Sequence, residues 1–238
     1  MFPIGDENRG QRLRPIVNYS LIVLNILVFL YELMLSDREL TNFVYRWGSI
    51  PAEISDGKDL YTLVTSMFLH GGWLHIAGNM LFLWVFGDNV EDTMGHFSYL
   101  IFYLLTGIAA GLLQTAIDSN SQTPLVGASG AISGVLAAYL VLFPHGNIRT
   151  VILLGWIPLV FLVPAWAMIG YWIVLQFING FLALSVKTEG GGVAYWAHVG
   201  GFLAGVVLVW LFKDEDAHQR QLEARRETHP FQRVELQR

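Results

Sequence analysis

Long apolar runs alternate with shorter polar stretches over most of this sequence. Five runs cover 16–35, 73–86, 97–117, 128–143 and 195–212, and another covers 165–184 after Pro164. A membrane-spanning helix needs roughly 20 mostly apolar residues, so the pattern predicts six membrane helices. The fourth is short and rich in small residues, and Pro164 suits the first turn of the fifth.

One further apolar segment, 151–163, does not fit this scheme. Two full spans and a turn would not fit between 148 and 184. The segment is rich in β-branched residues and contains Pro158, which is unfavourable inside a helix. We therefore predict an interfacial or partly buried connector that leads into the fifth helix.

The predicted fold class is an all-α membrane protein with one six-transmembrane-helix bundle. A cleaved signal peptide would need a shorter apolar core, whereas the first run continues to Leu35 and ends in Ser-Asp-Arg-Glu. We therefore predict a retained first helix. The predicted parts are an N-terminus at 1–15, a helical domain at 16–212 and a charged tail at 213–238, which we expect to be solvated and partly helical.

The composition agrees with a membrane protein, and the distribution of Lys and Arg predicts its orientation. Hydrophobic residues make up 54% of the chain and charged residues 14%, against about 25% charged in an average soluble domain. The net charge of -5 disfavours nucleic acid as a partner, and the absence of cysteine excludes disulfides and Cys-ligated metals. Ten of the 14 Lys and Arg residues fall on the side that holds both termini. We therefore expect cytoplasmic termini in the cell (inner) membrane.

Strongly polar side chains inside the predicted helices are the candidates for function, because such groups are costly at membrane depth. His75 and Asn79 lie four residues apart on the second helix, Ser129 begins the fourth, and His198 lies near the start of the sixth. In the predicted topology all three of these helices begin at the extracytoplasmic side of the membrane, with these residues near their first turns. We therefore expect them at one depth.

Small residues show how these helices could meet. Gly130 and Gly134 recur with a period of four on the fourth helix, and Gly201 and Gly205 do so on the sixth. Such stripes allow close approach of membrane helices. Docking the two stripes could bring the Ser129 hydroxyl within hydrogen-bond reach of the His198 ring.

This set of residues suits nucleophilic acyl transfer. A serine hydroxyl needs a base to take its proton, and neutral histidine is the usual one. Backbone N–H groups at a helix start and the side chains of His75 and Asn79 could stabilise an oxyanion. No acidic residue lies at this level in the even-numbered helices. The sequence therefore predicts a Ser129–His198 dyad without an acidic third member.

Other interpretations of the same residues stay open at this point. The serine, histidines and glycines could each serve helix packing or interhelical hydrogen bonds. His70, His75 and His198 could ligate a metal, although the sequence has no His-Glu-x-x-His pattern and no carboxylate beside them. A transporter with a broken helix around Pro158 and Pro164 is a further alternative.

The motifs resemble the rhomboid family of intramembrane serine proteases over roughly residues 16–212. The matching elements are His75-x-x-x-Asn79, Gly127-x-Ser129-Gly130 and Ala197-His198-x-x-Gly201-x-x-x-Gly205. They occur in the order and predicted topology of that family. The stretch 68–92 looks similar to bacterial members in particular.

The resemblance implies a six-helix rhomboid-like core with a membrane-associated first loop and no cofactor. It implies that Ser129 is the nucleophile and His198 the general base and acid, with His75, Asn79 and the segment from Gly127 to Ser129 supporting the oxyanion. The implied substrates are transmembrane proteins in the lipid bilayer, which would enter beside the fifth helix and beneath the loop at 190–192.

The sequence departs from some family members at three places. The Trp-Arg pair of the first loop is reversed as Arg46-Trp47, and the segment after the second helix reads Glu91-Asp92-Thr93 without an arginine. Ser133 stands where a tyrosine can stack under the histidine. The remaining alternative is a non-catalytic rhomboid-like protein that binds transmembrane segments. Such proteins usually lack the serine or histidine, and both are present here.

Overall fold

Helices make up most of the protein in a computed structural model that describes residues 2–8, 10–155, 157–185 and 193–227. The helices are α1 (Ile16–Glu32), α2 (Asp37–Trp47), α3 (Pro51–Ser55), α4 (Thr62–Thr65), α5 (Trp73–Met94), α6 (His96–Ile117), α7 (Ser129–Leu142), α8 (Ala165–Ser185), α9 (Tyr195–Phe212) and α10 (Glu215–Glu227). The mostly helical membrane fold is the one predicted. The predicted helices correspond to α1, α5, α6, α7, α8 and α9.

The helices differ in how well they suit a membrane span. Within the described residues, α6, α8 and α9 are long and apolar enough to cross a membrane. The shorter α1 and α7 have 17 and 14 residues and are also apolar. The 22 residues of α5 end in the sequence Gly-Asp-Asn-Val-Glu-Asp-Thr-Met, which continues the helix eight residues beyond the predicted end at 86. Six spans therefore remain a prediction.

The centre of the bundle is α7. Its residues from Gly130 to Tyr139 are all buried, which agrees with a helix that is apolar or small on every side. The glycines of α7 and α9 face one another. A Cβ atom at Gly201 would overlap the carbonyl of Gly130, and one at Gly205 would lie 2.5 Å from the carbonyl oxygen of Gly134. Only glycine allows α9 to lie this close to α7.

A three-stranded antiparallel sheet, which the sequence pattern did not predict, is formed by the N-terminal segment and the connector before α8. The strands are β1 (Phe2–Gly5), β2 (Asn147–Leu154) and β3 (Ile157–Pro164), in the order β1-β2-β3. The β-branched residues that disfavour a helix favour these strands. Pro158 lies on the edge strand β3, where a missing N–H is tolerated. The connector is thus a hairpin whose base is buried and whose β3 residues are largely exposed.

The polar end of α5 organises the two termini. The Glu91 carboxylate accepts hydrogen bonds from the backbone N–H groups of Val17 (2.9 Å) and Asn18 (2.7 Å), which caps α1. Asp92 accepts from two N-terminal backbone N–H groups and forms an ion pair with Arg220 of α10 at 2.7 Å. These buried acceptors explain why α5 continues past its apolar part.

The prediction of a solvated tail is wrong for the first part of that tail. One face of α10 is buried against α5, and Gln221 is fully buried there and donates to the Asp92 carboxylate at 2.8 Å. The remainder of the tail, 228–238, lies outside the described residues. The partner of Gln221 on α5 lies 129 positions earlier in the chain, so no local pattern could reveal this contact.

Candidate active site

The dyad predicted from the sequence lies between the N-terminal ends of α7 and α9. The Ser129 hydroxyl oxygen is 2.8 Å from Nε2 of His198. Ser129 is the first residue of α7 and is partly buried, while His198 is the fourth residue of α9 and is buried. The close contact of Gly130 with Gly201, one residue after Ser129, holds the two helices at this separation.

Two predicted oxyanion donors reach the same place from α5. A Cβ atom built on Gly127 would lie 2.6 Å from Nε2 of His75 and 3.6 Å from Nδ2 of Asn79. Gly127 also has a φ of +120°, which side-chain-bearing residues rarely adopt. Glycine is therefore required here both for its backbone conformation and for the approach of the two polar side chains. The structure thus brings His75, Asn79 and Gly127 together just before Ser129.

A third histidine, His70, which the sequence suggests only as a possible metal ligand, holds Asn79 in place. Nδ2 of Asn79 lies 2.9 Å from Nε2 of His70, and the backbone N–H of His70 points at the Glu32 carboxylate at 3.3 Å. The rings of His70 and His75 meet edge to face at 5.1 Å. Over the described ranges, no three His, Asp or Glu side chains are grouped to hold a metal ion. The histidines here are arranged as hydrogen-bonding groups.

The other side of the His198 ring is covered by α8, a contact that the sequence analysis missed. Nδ1 of His198 lies 2.8 Å from Oε1 of the buried Gln176. The ring of Trp172, one turn earlier on α8, lies 5.7 Å from the His198 ring at an interplanar angle of 37°. Gln176 is itself a strongly polar residue within the apolar run at 165–184. The reasoning that singled out His198 therefore applies to it as well.

Ser133, the residue at the family's tyrosine position, has a different role in this protein. Its hydroxyl donates to the backbone carbonyl of Ser129 at 2.6 Å, one turn back along α7. This is the ordinary local bond of a serine inside a helix. The aromatic contact to His198 therefore comes from Trp172 of α8 rather than from α7.

A small cavity of about 40 Å³ adjoins the nucleophile. It is lined by the Ser129 and Ser66 positions and by Ser49, whose buried hydroxyl has no partner among the described residues. Gly107 and Gly127 form part of its wall. A space of this size with several polar groups in its walls accommodates roughly one or two water molecules. Water can thus be held beside Ser129 within an otherwise apolar bundle.

Comparison with known proteins identifies the family of this chain. A model of the rhomboid domain matches residues 57–215, which include Ser129, His198, His75, Asn79, Gly127 and Gln176. The chain belongs to the rhomboid family. The match covers the helices from α5 to α9 and the loops between them.

Individual relatives come from plastids, mitochondria and bacteria. The chain is 29% identical to rhomboid-like protein 11, chloroplastic, of Arabidopsis thaliana over 86% of its own length and 68% of the relative's. It is 29% identical to rhomboid protein 1, mitochondrial, of Saccharomyces cerevisiae over 87% and 56% of the two chains. It is 33% identical to the rhomboid protease AarA of Providencia stuartii over 51% and 49%. The chain therefore spans roughly half to two thirds of the length of these relatives.

The predicted substrate entrance is only partly within the described structure. The loop at 190–192 lies outside the described residues. The helix beside it, α8, is described, and several of its large apolar side chains, including Tyr171, Val174 and Phe181, are about half exposed or more. In a membrane, these side chains face lipid or another helix.

Proposed function

We propose that this protein is an intramembrane serine endopeptidase that hydrolyses peptide bonds in or near transmembrane segments of other membrane proteins. The observation that carries the proposal is the 2.8 Å hydrogen bond between the Ser129 hydroxyl and Nε2 of His198. Family membership and the relatives named as proteases, such as AarA, support it. Both reacting groups lie inside the helical bundle, so the bond to be cut would be presented there by a membrane-embedded substrate.

Acylation begins at Ser129. His198 takes the hydroxyl proton at Nε2 while the serine oxygen attacks the carbonyl carbon of the scissile bond. The tetrahedral intermediate carries its charge on the former carbonyl oxygen. His198 then gives its proton to the leaving amine, the C–N bond breaks, and the acyl group remains on Ser129 as an ester.

Deacylation repeats the same proton transfers with water. A water molecule from the cavity beside Ser129 attacks the ester carbonyl while His198 takes a proton from it at Nε2. The ester bond breaks, His198 returns the proton to the serine oxygen, and a carboxylic acid leaves. The chain of proton transfers needs no group other than Ser129, His198 and water.

The oxyanion is stabilised by donors that are already in place. The first backbone N–H groups of α7 lack partners within the helix, and they begin at Ser129. His75 and Asn79 flank Gly127 on the other side. Preorganised donors of this kind are worth roughly 2.7–4 kcal/mol each in the transition state. We assign His75 and Asn79 to this role.

We also propose a multi-pass topology of six spans with both termini on the cytoplasmic side of the cell membrane. The excess of Lys and Arg on the side of the termini supports this orientation. The ion pair between Asp92 and Arg220 joins the end of α5 to the C-terminal helix on that same side. Reporter fusions at the two termini would test the orientation.

The test is covalent labelling of the purified full chain with a fluorophosphonate, which reacts only with an activated serine. Labelling should disappear in Ser129→Ala and fall by more than roughly 10³-fold in His198→Ala. Ser20→Ala is the matched control, since Ser20 is an exposed serine on α1 that bonds to its own helix. A folded wild-type chain that does not label in lipid would refute the protease proposal and favour the non-catalytic alternative.

A further inference from the structure

The His198 ring is held from two sides, and only one of them belongs to the dyad. Nε2 faces the Ser129 hydroxyl, and Nδ1 faces Oε1 of Gln176 at 2.8 Å. Both His198 and Gln176 are buried. A buried ring nitrogen with one close polar partner takes the protonation state that this partner permits.

The orientation of the Gln176 amide follows from its second contact. Its nitrogen, Nε2, donates to the backbone carbonyl of Trp172 at 3.3 Å. A carbonyl can only accept, so the amide nitrogen has to lie on that side and the amide oxygen has to face His198. The amide oxygen in turn can only accept, so Nδ1 of His198 has to carry the proton. Nε2 is then left with its lone pair directed at the Ser129 hydroxyl.

We propose that Gln176 is a positioning residue that fixes His198 in the tautomer able to act as the base for Ser129. This inference rests on the proposed function and adds a third member, contributed by α8, to the dyad. Trp172 limits tilting of the same ring by lying against it. The sequence pattern predicts a dyad without an acidic third member, and the third member proposed here is a neutral amide.

A neutral amide suits this location better than a carboxylate. An ionised acid inside a membrane helix costs several kcal/mol unless it is paired, whereas an amide can accept the same hydrogen bond without a charge. The amide selects the tautomer as the aspartate of a serine-protease triad does. It does not contribute the electrostatic stabilisation of the imidazolium that a carboxylate would provide.

The test compares three variants of the full chain. Gln176→Met keeps the length of the side chain but removes the acceptor oxygen. Gln176→Glu keeps an acceptor oxygen in the same position. Gln114→Met is the matched control, because the Gln114 side chain accepts from the backbone N–H of Ala197 at 3.2 Å and so supports α9 next to His198 without contacting the ring nitrogen.

Two readouts distinguish positioning from structural support. The first is the kcat and KM for cleavage of a transmembrane peptide, together with the rate of fluorophosphonate labelling. We expect kcat and labelling to fall roughly 10- to 100-fold in Gln176→Met, part of the 10²–10⁴-fold that a general base contributes, with little change in KM. We expect Gln176→Glu to return to within about tenfold of wild type. Gln114→Met should lower thermal stability but not kcat.

The second readout does not depend on activity. Nitrogen NMR of ¹⁵N-histidine protein, with His198 assigned by the His198→Ala spectrum, reports which ring nitrogen carries the proton. We expect protonated Nδ1 in the wild type and a mixture of tautomers in Gln176→Met. If the wild type is inactive but the tautomer of His198 still depends on Gln176, the proposed function fails and the positioning role stands. If Gln176→Met keeps the wild-type tautomer and labelling rate, the inference is overturned.

Discussion

Replacement of Gly205 by alanine tests the packing that brings the dyad together. A methyl group at Gly205 would lie 2.5 Å from the carbonyl oxygen and 2.7 Å from Cα of Gly134. Both atoms belong to the backbone of α7 and cannot rotate away. Since carbon atoms in contact are ordinarily about 3.5–4.0 Å apart, α9 has to retreat from α7 by roughly 1 Å. Overpacking of this kind costs roughly 1–3 kcal/mol.

The same retreat acts on the active site. Gly205 lies seven residues, or two turns, after His198, so both residues face α7. A displacement of this size would lengthen the present 2.8 Å contact between Ser129 and His198 beyond the roughly 3.2 Å limit of a good hydrogen bond. Misplacing a catalytic group by about 1 Å can cost on the order of 10²-fold in rate. We therefore expect Gly205→Ala to lose both stability and fluorophosphonate reactivity.

The assay is the labelling rate measured beside a thermal unfolding curve in the same detergent. Gly170→Ala is the control, because a Cβ atom on this glycine of α8 would meet nothing within 4 Å. Alanine there should be neutral or stabilise the helix by up to about 1 kcal/mol. If Gly205→Ala has the melting temperature and the labelling rate of the wild type, glycine contacts between α7 and α9 do not set the geometry of the dyad.

Three further predictions concern the oxyanion donors and the termini. Asn79→Ala should lower kcat by roughly 10²–10³-fold with little change in KM, and steady-state kinetics with an unchanged kcat would exclude Asn79 as a donor. Burial, and next the charge of Asp88, raise the pKa of Asp6 to about 7, so its ionised form disfavours the folded state. The free energy of unfolding should therefore fall by up to roughly 4 kcal/mol as the pH rises from about 4 to 7. In Asp6→Asn, melting curves over the same pH range should show little of this decrease. Arg220→Ala should destabilise the contact between α10 and Asp92 by roughly 1–3 kcal/mol, which limited proteolysis of α10 would detect; equal cleavage of mutant and wild type would contradict it.

Much of the site could be predicted from the sequence because polar residues stand out inside apolar helices. Ser129, His198, His75 and Asn79 each interrupt such a run, and the periodic glycines indicate which helix faces meet. The depth at which the residues meet follows from their positions near helix N-terminal ends. Their joint location therefore needed no knowledge of side-chain contacts.

Other features depend on contacts that no local pattern contains. The β-branched segment at 151–163 could be a strand pair or a connector, because short apolar runs do not by themselves distinguish the two. The extension of α5 past residue 86 requires the N-terminal backbone and α10 as hydrogen-bonding partners. Gln176 stands out in the sequence as a polar residue in an apolar run, but its contact with His198 becomes clear only when α8 is placed against α9.

The four helices around Ser129 hold the site by two different kinds of contact. The spacing of α7 and α9 is set by backbone contacts at Gly201 and Gly205, which allow little movement. The contact of α8 with His198 is made by side chains, through Gln176 and Trp172, while much of its apolar surface is exposed. If Gln176 fixes the tautomer of His198, outward movement of α8 removes the partner of Nδ1 while Ser129 and His198 stay together. The competence of the base would then depend on the position of the helix beside which a transmembrane substrate is expected to enter.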